Sequence, residues 1–203
     1  MNFSLFFLLI LTRLVTSKVL IKVTIGLGAL IHKSYAAARG VLRYGYFDTA
    51  RRRTVELLDA MCRVYRTIEP HSIWECYSPD GREPGRQVRN DERCRKDFCG
   101  WSALAPIAMF IECVIGIHSV DAFRKVVRWD LDTESPGRTG IRGLRFGGVN
   151  ASMIFEGGTV EVESDAPFAL EINGREFPVA AGKRRIVPPL RAENRKLITV
   201  NLS

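Results

Sequence analysis

The sequence lacks the dense, even set of cysteines that staples small secreted domains. Its five cysteines, Cys62, Cys76, Cys94, Cys99 and Cys113, are an odd number at wide spacings, so we expect reduced thiols. Cys76, Cys94 and Cys99 share one segment with His71, which leaves a zinc site as an alternative. We favour incidental cysteines, because the spacing of Cys94 and Cys99 is not that of a zinc knuckle, and we predict no metal and no cofactor.

The chain also lacks a hydrophobic run long enough to cross a bilayer. Phe3 to Leu11 and Val19 to Ile31 are short apolar runs separated by Arg13 and Lys18. Residues 1–33 fit a secretory signal, a membrane anchor acting through residues 1–31, or non-family sequence that replaces a preceding part of the fold. We favour the third interpretation and a cytoplasmic location; a genuine signal or anchor would make the protein exported or membrane-bound.

Acidic residues are the minority, with 22 against 30 lysines and arginines, and the formal charge is +8. A basic balance raises the prospect of nucleic acid or an anionic membrane as partner. No nucleic-acid-reading motif accompanies the basic runs, and the arginines between Arg82 and Lys96 alternate with carboxylates. We therefore expect a solvated surface and no nucleic-acid partner.

Three helices are predicted in the first part of the chain. Ser34 to Arg43 is alanine-rich and ends near Gly45, and a longer helix follows with Asp48 as its N-cap. The short link predicts a helical hairpin. The apolar stripe predicted for the longer helix consists of Val55, Leu58, Met61, Tyr65 and Ile68. Ser102 to Ile117 is apolar almost all round, which predicts a buried helix with Ser102 as N-cap and Gly116 at its end.

After Phe123 the pattern changes to short alternating runs separated by Gly-Gly and Asn-Gly pairs. Thr159 to Glu163, Phe168 to Ile172 and Leu197 to Asn201 are predicted strands. Asn173-Gly174 is the strongest hairpin signal, because both residues tolerate positive φ. A small antiparallel sheet or sandwich is therefore predicted after the helices.

The segment between the second and third helices carries the candidate chemistry. Trp74-Glu75-Cys76-Tyr77-Ser78-Pro79-Asp80-Gly81 is followed by Asp97-Phe98-Cys99-Gly100-Trp101-Ser102-Ala103. A carboxylate flanked by aromatic rings suits carbohydrate chemistry, since ring faces stack on sugars and a carboxylate can take a proton from water. A loop this long inside a compact domain is usually functional.

These motifs, with the helices before them and the β-rich tail after them, resemble the C-terminal end of the six-hairpin glycosidases. The likeness covers about Tyr35 to Val187 and is strongest to the processing α-glucosidase, trehalase and mannosylglycerate hydrolase group. It implies an α+β chain holding the C-terminal helices of an (α/α)6 barrel, incomplete here, over residues 34–122. A small antiparallel β domain over residues 123–203 would follow.

The same resemblance implies site residues and a substrate. Glu75 corresponds to the general base of an inverting hydrolase of α-linked glucosides or mannosides, while Trp74, Tyr77, Phe98 and Trp101 would line the sugar pocket. Structural roles are the alternatives: a turn-stabilising or salt-bridged glutamate, and aromatic residues that belong to the core.

The predicted site lacks a second catalytic carboxylate. The general acid of the family comes from an earlier helical hairpin, and nothing before Ser34 supplies it. Asp80, Glu83, Asp91 and Asp97 are present but fit loop solvation or turn chemistry better. An inactive remnant, a carbohydrate-binding module and a membrane-associated interaction protein therefore stand as alternatives to a glycosidase fragment. The sequence does not indicate an oligomeric state.

Overall fold

The computed structural model describes residues 29–191 except 79, 88, 135 and 136. The chain divides into two compact units, one ending at Val114 and the other beginning at Ile115. The predicted boundary between residues 122 and 123 falls between the first two strands of the second unit. The predicted strand Leu197 to Asn201 and most of the N-terminal apolar segment lie outside the described residues.

The first unit contains the three α-helices found among the described residues. They are α1 (Ile31–Arg43), α2 (Phe47–Thr67) and α3 (Trp101–Met109), and α3 continues as a π-helical turn over Phe110–Ile115. Gly45 ends the link after α1 with φ 80°, and its N–H donates to the Leu42 carbonyl at 2.9 Å. The predicted pair of helices joined near Gly45 is confirmed, and α1 packs against both α2 and α3.

The stripe predicted for α2 is only partly right, since Met61 and Ile68 pack against the core but are not its fully buried residues. The structure buries the small side chains of the neighbouring face, and Val55 and Tyr65 are exposed. The buried residues of α2 are Ala50, Thr54, Leu57, Ala60 and Val64. Small side chains permit close approach of neighbouring helices, and that geometry, rather than hydrophobicity alone, decides which face is buried.

Both predicted N-caps are also wrong. Tyr46 occupies the N-cap position of α2 without a side-chain hydrogen bond, and Asp48 lies inside the first turn. Gly100 precedes α3, while the Ser102 hydroxyl donates to the Glu75 carbonyl at 3.1 Å. Gly116 does end the π-helical turn, with φ 95°.

The second unit is a β structure of eight strands among the described residues. The strands are β3 (Ile117–Asp121), β4 (Val126–Trp129), β5 (Thr139–Phe146), β6 (Val149–Glu156), β7 (Thr159–Ser164), β8 (Phe168–Ile172), β9 (Arg175–Val179) and β10 (Gly182–Ile186). The order is β10-β7-β6-β5 in one sheet and β3-β4-β8-β9 in the other. All neighbours are antiparallel except β4 and β8.

Side chains that point inward at every second position of the strands build the core of this unit. Val149, Ala151, Met153 and Phe155 point inward from β6, and Phe168, Leu170 and Ile172 point inward from β8. Phe146 of one sheet meets Phe168 of the other edge-to-face at 5.6 Å between centroids. Two sheets that each bury one face pack as a sandwich. The predicted Asn173-Gly174 hairpin is confirmed, with φ 49° and 80° at the two turn residues.

The predicted fold class, the end of an (α/α)6 barrel followed by a small antiparallel β domain, is contradicted. The described residues form three short α-helices and two four-stranded sheets, so this part of the chain is mostly β and is not a helical barrel. The physical reason is the period of the sequence, which changes from helical spacing to alternation at Ile117 and keeps that alternation to Ile186. Within the described part of the chain, no helix combines the length and apolar character that crossing a bilayer requires.

Candidate functional site

The segment that carries Glu75 is held by three short extended pieces that bond to one another around Gly85. The Gly85 N–H donates to the Cys76 carbonyl at 2.9 Å, and the Cys94 N–H donates to the Gly85 carbonyl at 2.8 Å. The Glu75 N–H in turn donates to the Arg95 carbonyl at 2.9 Å. This segment, residues 72–99, is called the Glu75 loop below. Its pieces form a closed arrangement, which fixes the backbone of Glu75 without a long strand.

Two further contacts tie the Glu75 loop to its surroundings. A two-residue strand β2 (Cys76–Tyr77) pairs antiparallel with β1 (Ala29–Leu30), with Leu30 opposite Cys76. The Ser102 hydroxyl, at the start of α3, holds the Glu75 carbonyl. The peptide groups on both sides of the Glu75 side chain are therefore fixed, and the side chain is the part left free to act.

Gly85 is required at the centre of the loop. A Cβ at this position would lie 2.5 Å from the Cys76 sulfur and 3.3 Å from its carbonyl carbon. Any larger residue would push the three pieces apart. The Pro84-Gly85 pair, which suggests only a turn in the sequence, is thus the point at which the loop closes on itself.

Cys76 and Cys94 form a buried thiol pair that sequence reasoning did not identify. The Cys94 thiol donates to the Cys76 carbonyl at 3.1 Å, and its sulfur accepts the Cys76 N–H at 3.4 Å. The hydrogen bond from the Cys76 thiol lowers the pKa of Cys94, and the same bond, with burial, raises the pKa of Cys76. The 18-residue separation of the two cysteines carries no motif, so only the folded loop reveals the pair.

The carboxylate of Glu75 is half-buried and makes no hydrogen bond or ion pair with the described residues. Its negative charge adds to the rise in the pKa of Cys76 and opposes the lowering of the pKa of Cys94, which places it near the thiol pair. A half-buried carboxylate without a partner can accept a proton or a hydroxyl hydrogen bond from an incoming molecule.

Other carboxylates of the Glu75 loop are engaged locally. Asp80 accepts hydrogen bonds from Ser78 at 2.6 Å and the Arg82 N–H at 3.1 Å, which lower the pKa of Asp80. Asp97 accepts the Ser72 hydroxyl at 2.6 Å, and Asp91 accepts Arg86 at 3.4 Å. Of the four predicted alternatives for a general acid, only Glu83 has no side-chain partner among the described residues.

The four predicted pocket aromatics lie in different surroundings. Trp74 and Tyr77 are 3% and 2% exposed and belong to a core cluster with Val64, Cys94 and Ala105. The Tyr77 hydroxyl accepts the Trp74 N–H at 3.2 Å, and burial raises the pKa of Tyr77. The ring faces of these two residues are therefore covered by protein.

Phe98 is half-buried, and the Arg95 guanidinium lies over its ring at 5.8 Å from the centroid. Trp101 begins α3, and its side chain lies outside the described residues. The buried indole N–H of Trp74 has no hydrogen-bond partner in the part of the chain that the structure describes. A buried donor of this kind usually bonds an ordered water or a ligand.

Of the side chains considered for zinc, Cys76 and Cys94 lie together, but no third ligand joins them among the described residues. Within the described residues, no group of three or more His, Cys, Asp and Glu side chains is placed to hold a metal ion. His71 instead contacts the Tyr65 carbonyl at 2.6 Å and the Glu69 carboxylate at 2.9 Å, and Cys99 is exposed.

Comparison of the chain with protein-family models, curated proteins and solved structures gives no match. The likeness to six-hairpin glycosidases therefore stays a resemblance of the sequence, which rests most heavily on the two loop motifs.

Proposed function

We propose that the chain carries the general base of an inverting glycoside hydrolase that acts on α-linked glucosides or mannosides, and that Glu75 is this base. The proposal concerns the Glu75 loop and requires no helical barrel. The observation that carries it is the half-buried Glu75 carboxylate, which has no partner among the described residues while Asp80, Asp91 and Asp97 are engaged.

The chemistry follows from the needs of an inverting reaction. Water attacks the anomeric carbon from the face opposite the leaving group, and a carboxylate takes the proton that this water loses. The carboxylate must be free to accept it, which Glu75 is. Trp74 and Tyr77 support the loop from the core, and Phe98 is half-buried with the Arg95 guanidinium over its ring.

The proposal, like the resemblance, leaves the general acid missing from this chain. An inverting pair is separated by roughly 6.5–9.5 Å. Glu83 is bonded through its backbone to Ser78, which lies three residues from Glu75, about 10 Å along extended chain. We therefore expect little hydrolysis of ordinary glycosides by this chain, because their leaving oxygen must be protonated.

Glycosyl fluorides test the base without the acid, since fluoride leaves without protonation. We expect the protein to hydrolyse α-glucosyl or α-mannosyl fluoride and to release the β-anomer first, as seen by proton NMR. Glu75→Gln should lower the rate by about 10²–10⁴-fold, the range for removal of a general base. Fluoride release and thermal unfolding are measured for each variant.

Glu83→Gln is the matched control, because it makes the same isosteric change at a second unpartnered carboxylate of the same loop. It should hydrolyse the fluoride as the unaltered protein does. Equal rates for Glu75→Gln and the unaltered protein, or release of the α-anomer first, would rule out the proposed base.

Carbohydrate binding without turnover is the second candidate function. It is favoured by the engagement of Asp80, Asp91 and Asp97 in loop contacts, which removes three of the four local candidates for the acid. Calorimetric binding of an α-linked disaccharide, together with no fluoride release from either sugar fluoride, would support this function in place of hydrolysis.

A further inference from the structure

A groove of about 530 Å³ lies on the outer face of the sheet β10-β7-β6-β5, in the second unit. Its size falls within the range of small-molecule sites, roughly 300–1,000 Å³. Five basic side chains line it: Arg138, Arg142, Lys183, Arg184 and Arg185. No aromatic side chain is part of its lining.

The register of the strands creates the groove. Lys183 of β10 lies opposite Glu163 of β7, which lies opposite Ser152 of β6. The next row on the same face places Arg185 opposite Glu161, and Glu161 opposite Ile154. The two carboxylates and Ser152 therefore form a polar floor, and Ile154 adds an apolar patch to it.

The β5 edge of the groove is open and bent. Gly140 lies opposite Ile154, so this row ends without a side chain. The register of β5 then shifts between Ile141 and Leu144, and the Gly143 N–H donates to the Ser152 hydroxyl at 3.1 Å. Such a bulge bends a strand and redirects its side chains, and here it brings Arg142 to the rim.

The basic side chains differ in how far they are engaged. Arg185 pairs with Glu161 at 2.8 Å, Lys183 with Glu163 at 3.7 Å and Arg138 with Glu156 at 3.6 Å. Arg184 donates to the Pro178 carbonyl. The exposed guanidinium of Arg142 has no hydrogen bond or ion pair with the described residues, so its two-pronged donor set is available.

We propose that this groove binds a saccharide that carries carboxylate groups. The Arg142 guanidinium would hold a sugar carboxylate through two parallel hydrogen bonds. Glu161 and Glu163 can accept hydrogen bonds from sugar hydroxyls while they remain paired with their cations, and Ile154 offers an apolar surface to a ring face. The ligand class thus matches the cationic rim, the acceptors of the floor and the apolar patch together.

Nucleic acid matches the groove less well. A phosphate backbone crossing it would meet the negative charges of Glu161 and Glu163 on the floor. Single strands also bind by stacking their bases on aromatic side chains, and the lining provides none.

Three probes test the proposal with the full chain: tetragalacturonate, uncharged maltotetraose and a single-stranded oligonucleotide. We expect calorimetry to detect tetragalacturonate binding that weakens as salt is added, and at least tenfold weaker binding of both other probes. Tighter binding of the oligonucleotide would assign the groove to nucleic acid, and equal binding of maltotetraose would show that the carboxylates are not recognised. Absence of tetragalacturonate binding at millimolar concentration would also overturn the proposal.

Two arginine variants locate the binding. Arg142→Gln should weaken tetragalacturonate binding by roughly tenfold, as expected for loss of a charge-assisted hydrogen bond. Arg145→Gln is the matched control, because Arg145 is an exposed arginine of the same strand that does not line the groove. It should change binding less than twofold. Equal weakening by the two variants would mean that general charge, and not this groove, attracts the ligand.

Discussion

The Glu75 loop and the sandwich of the second unit hold their backbones mainly by different means. In the sandwich, strand pairing bonds the backbones of β7 and β10, and exposed side chains such as Arg185 and Glu161 pair across these strands. In the loop, side chains bond the backbone: Ser102 holds the Glu75 carbonyl and Ser72 holds the Asp97 N–H at 2.9 Å. The Glu75 carboxylate and the Trp74 indole N–H, which lack partners among the described residues, are therefore informative.

The first prediction tests whether the sandwich depends on its apolar core, and it has the largest expected effect. Leu170 is 0% exposed, at the centre of β8. Leu170→Ala should lower the free energy of unfolding by about 2–5 kcal/mol, because it removes a buried side chain and leaves a cavity. Urea denaturation followed by circular dichroism measures the change.

Leu190→Ala is the control for this prediction. It makes the same truncation at a leucine that is 80% exposed, so it should change the free energy of unfolding by less than about 0.5 kcal/mol. Similar losses for both leucine variants would contradict the assignment of Leu170 to the core.

The second prediction tests the closure of the Glu75 loop. Gly85→Ala should lower the free energy of unfolding by about 1–3 kcal/mol, since its Cβ would overlap the Cys76 sulfur and force the loop pieces apart. The same variant should slow glycosyl fluoride hydrolysis, because Glu75 is positioned by those pieces. Unfolding and fluoride release are both measured.

Gly40→Ala is the matched control, and it should change the free energy of unfolding in the opposite direction. Gly40 lies inside α1, and a Cβ there meets nothing within 4 Å. Alanine should stabilise the helix by about 0.5–1 kcal/mol, because glycine loses more backbone freedom on folding. A stabilising effect of Gly85→Ala as well would show that the loop is not closed around this residue.

The third prediction compares the reactivity of the buried and the exposed thiols in the unaltered protein. Cys62 and Cys99 are exposed, whereas Cys76, Cys94 and Cys113 are buried. Brief treatment of the folded protein with N-ethylmaleimide should label the first two, and all five should react after denaturation; peptide mass spectrometry locates the labels. The lowered pKa of Cys94 makes it intrinsically reactive, so burial alone must protect it. Rapid labelling of Cys94 would reveal an open loop.

Local signals predicted the elements of this chain better than their packing. Asn173-Gly174 requires positive φ at two successive residues, which few other pairs tolerate, and the hairpin was predicted with its flanking strands. The helix that ends before Gly45 and the helix end at Gly116 were likewise predicted from signals within a few residues. The buried face of α2 does not follow from local signals. Ala60 and Val64 are buried by contact with other parts of the protein, which the spacing of residues within one helix does not specify.

The candidate site shows the same division. The carboxylate of Glu75 between aromatic neighbours is visible in the sequence, but its freedom from partners depends on where Ser102, Arg95 and the other loop residues lie. The thiol pair, the closure at Gly85 and the groove with Arg142 had no sequence signal, because each joins residues from separate segments.

The sequence by itself determined where strands and helices form, since hydrophobic period and turn residues act within a few positions of the chain. Tertiary structure alone decided which face of α2 is buried and which polar side chains remain without partners among the described residues. The reason is that burial and hydrogen bonding are satisfied by whatever lies nearby in space, and for Glu75 and Arg142 those neighbours come from distant parts of the sequence.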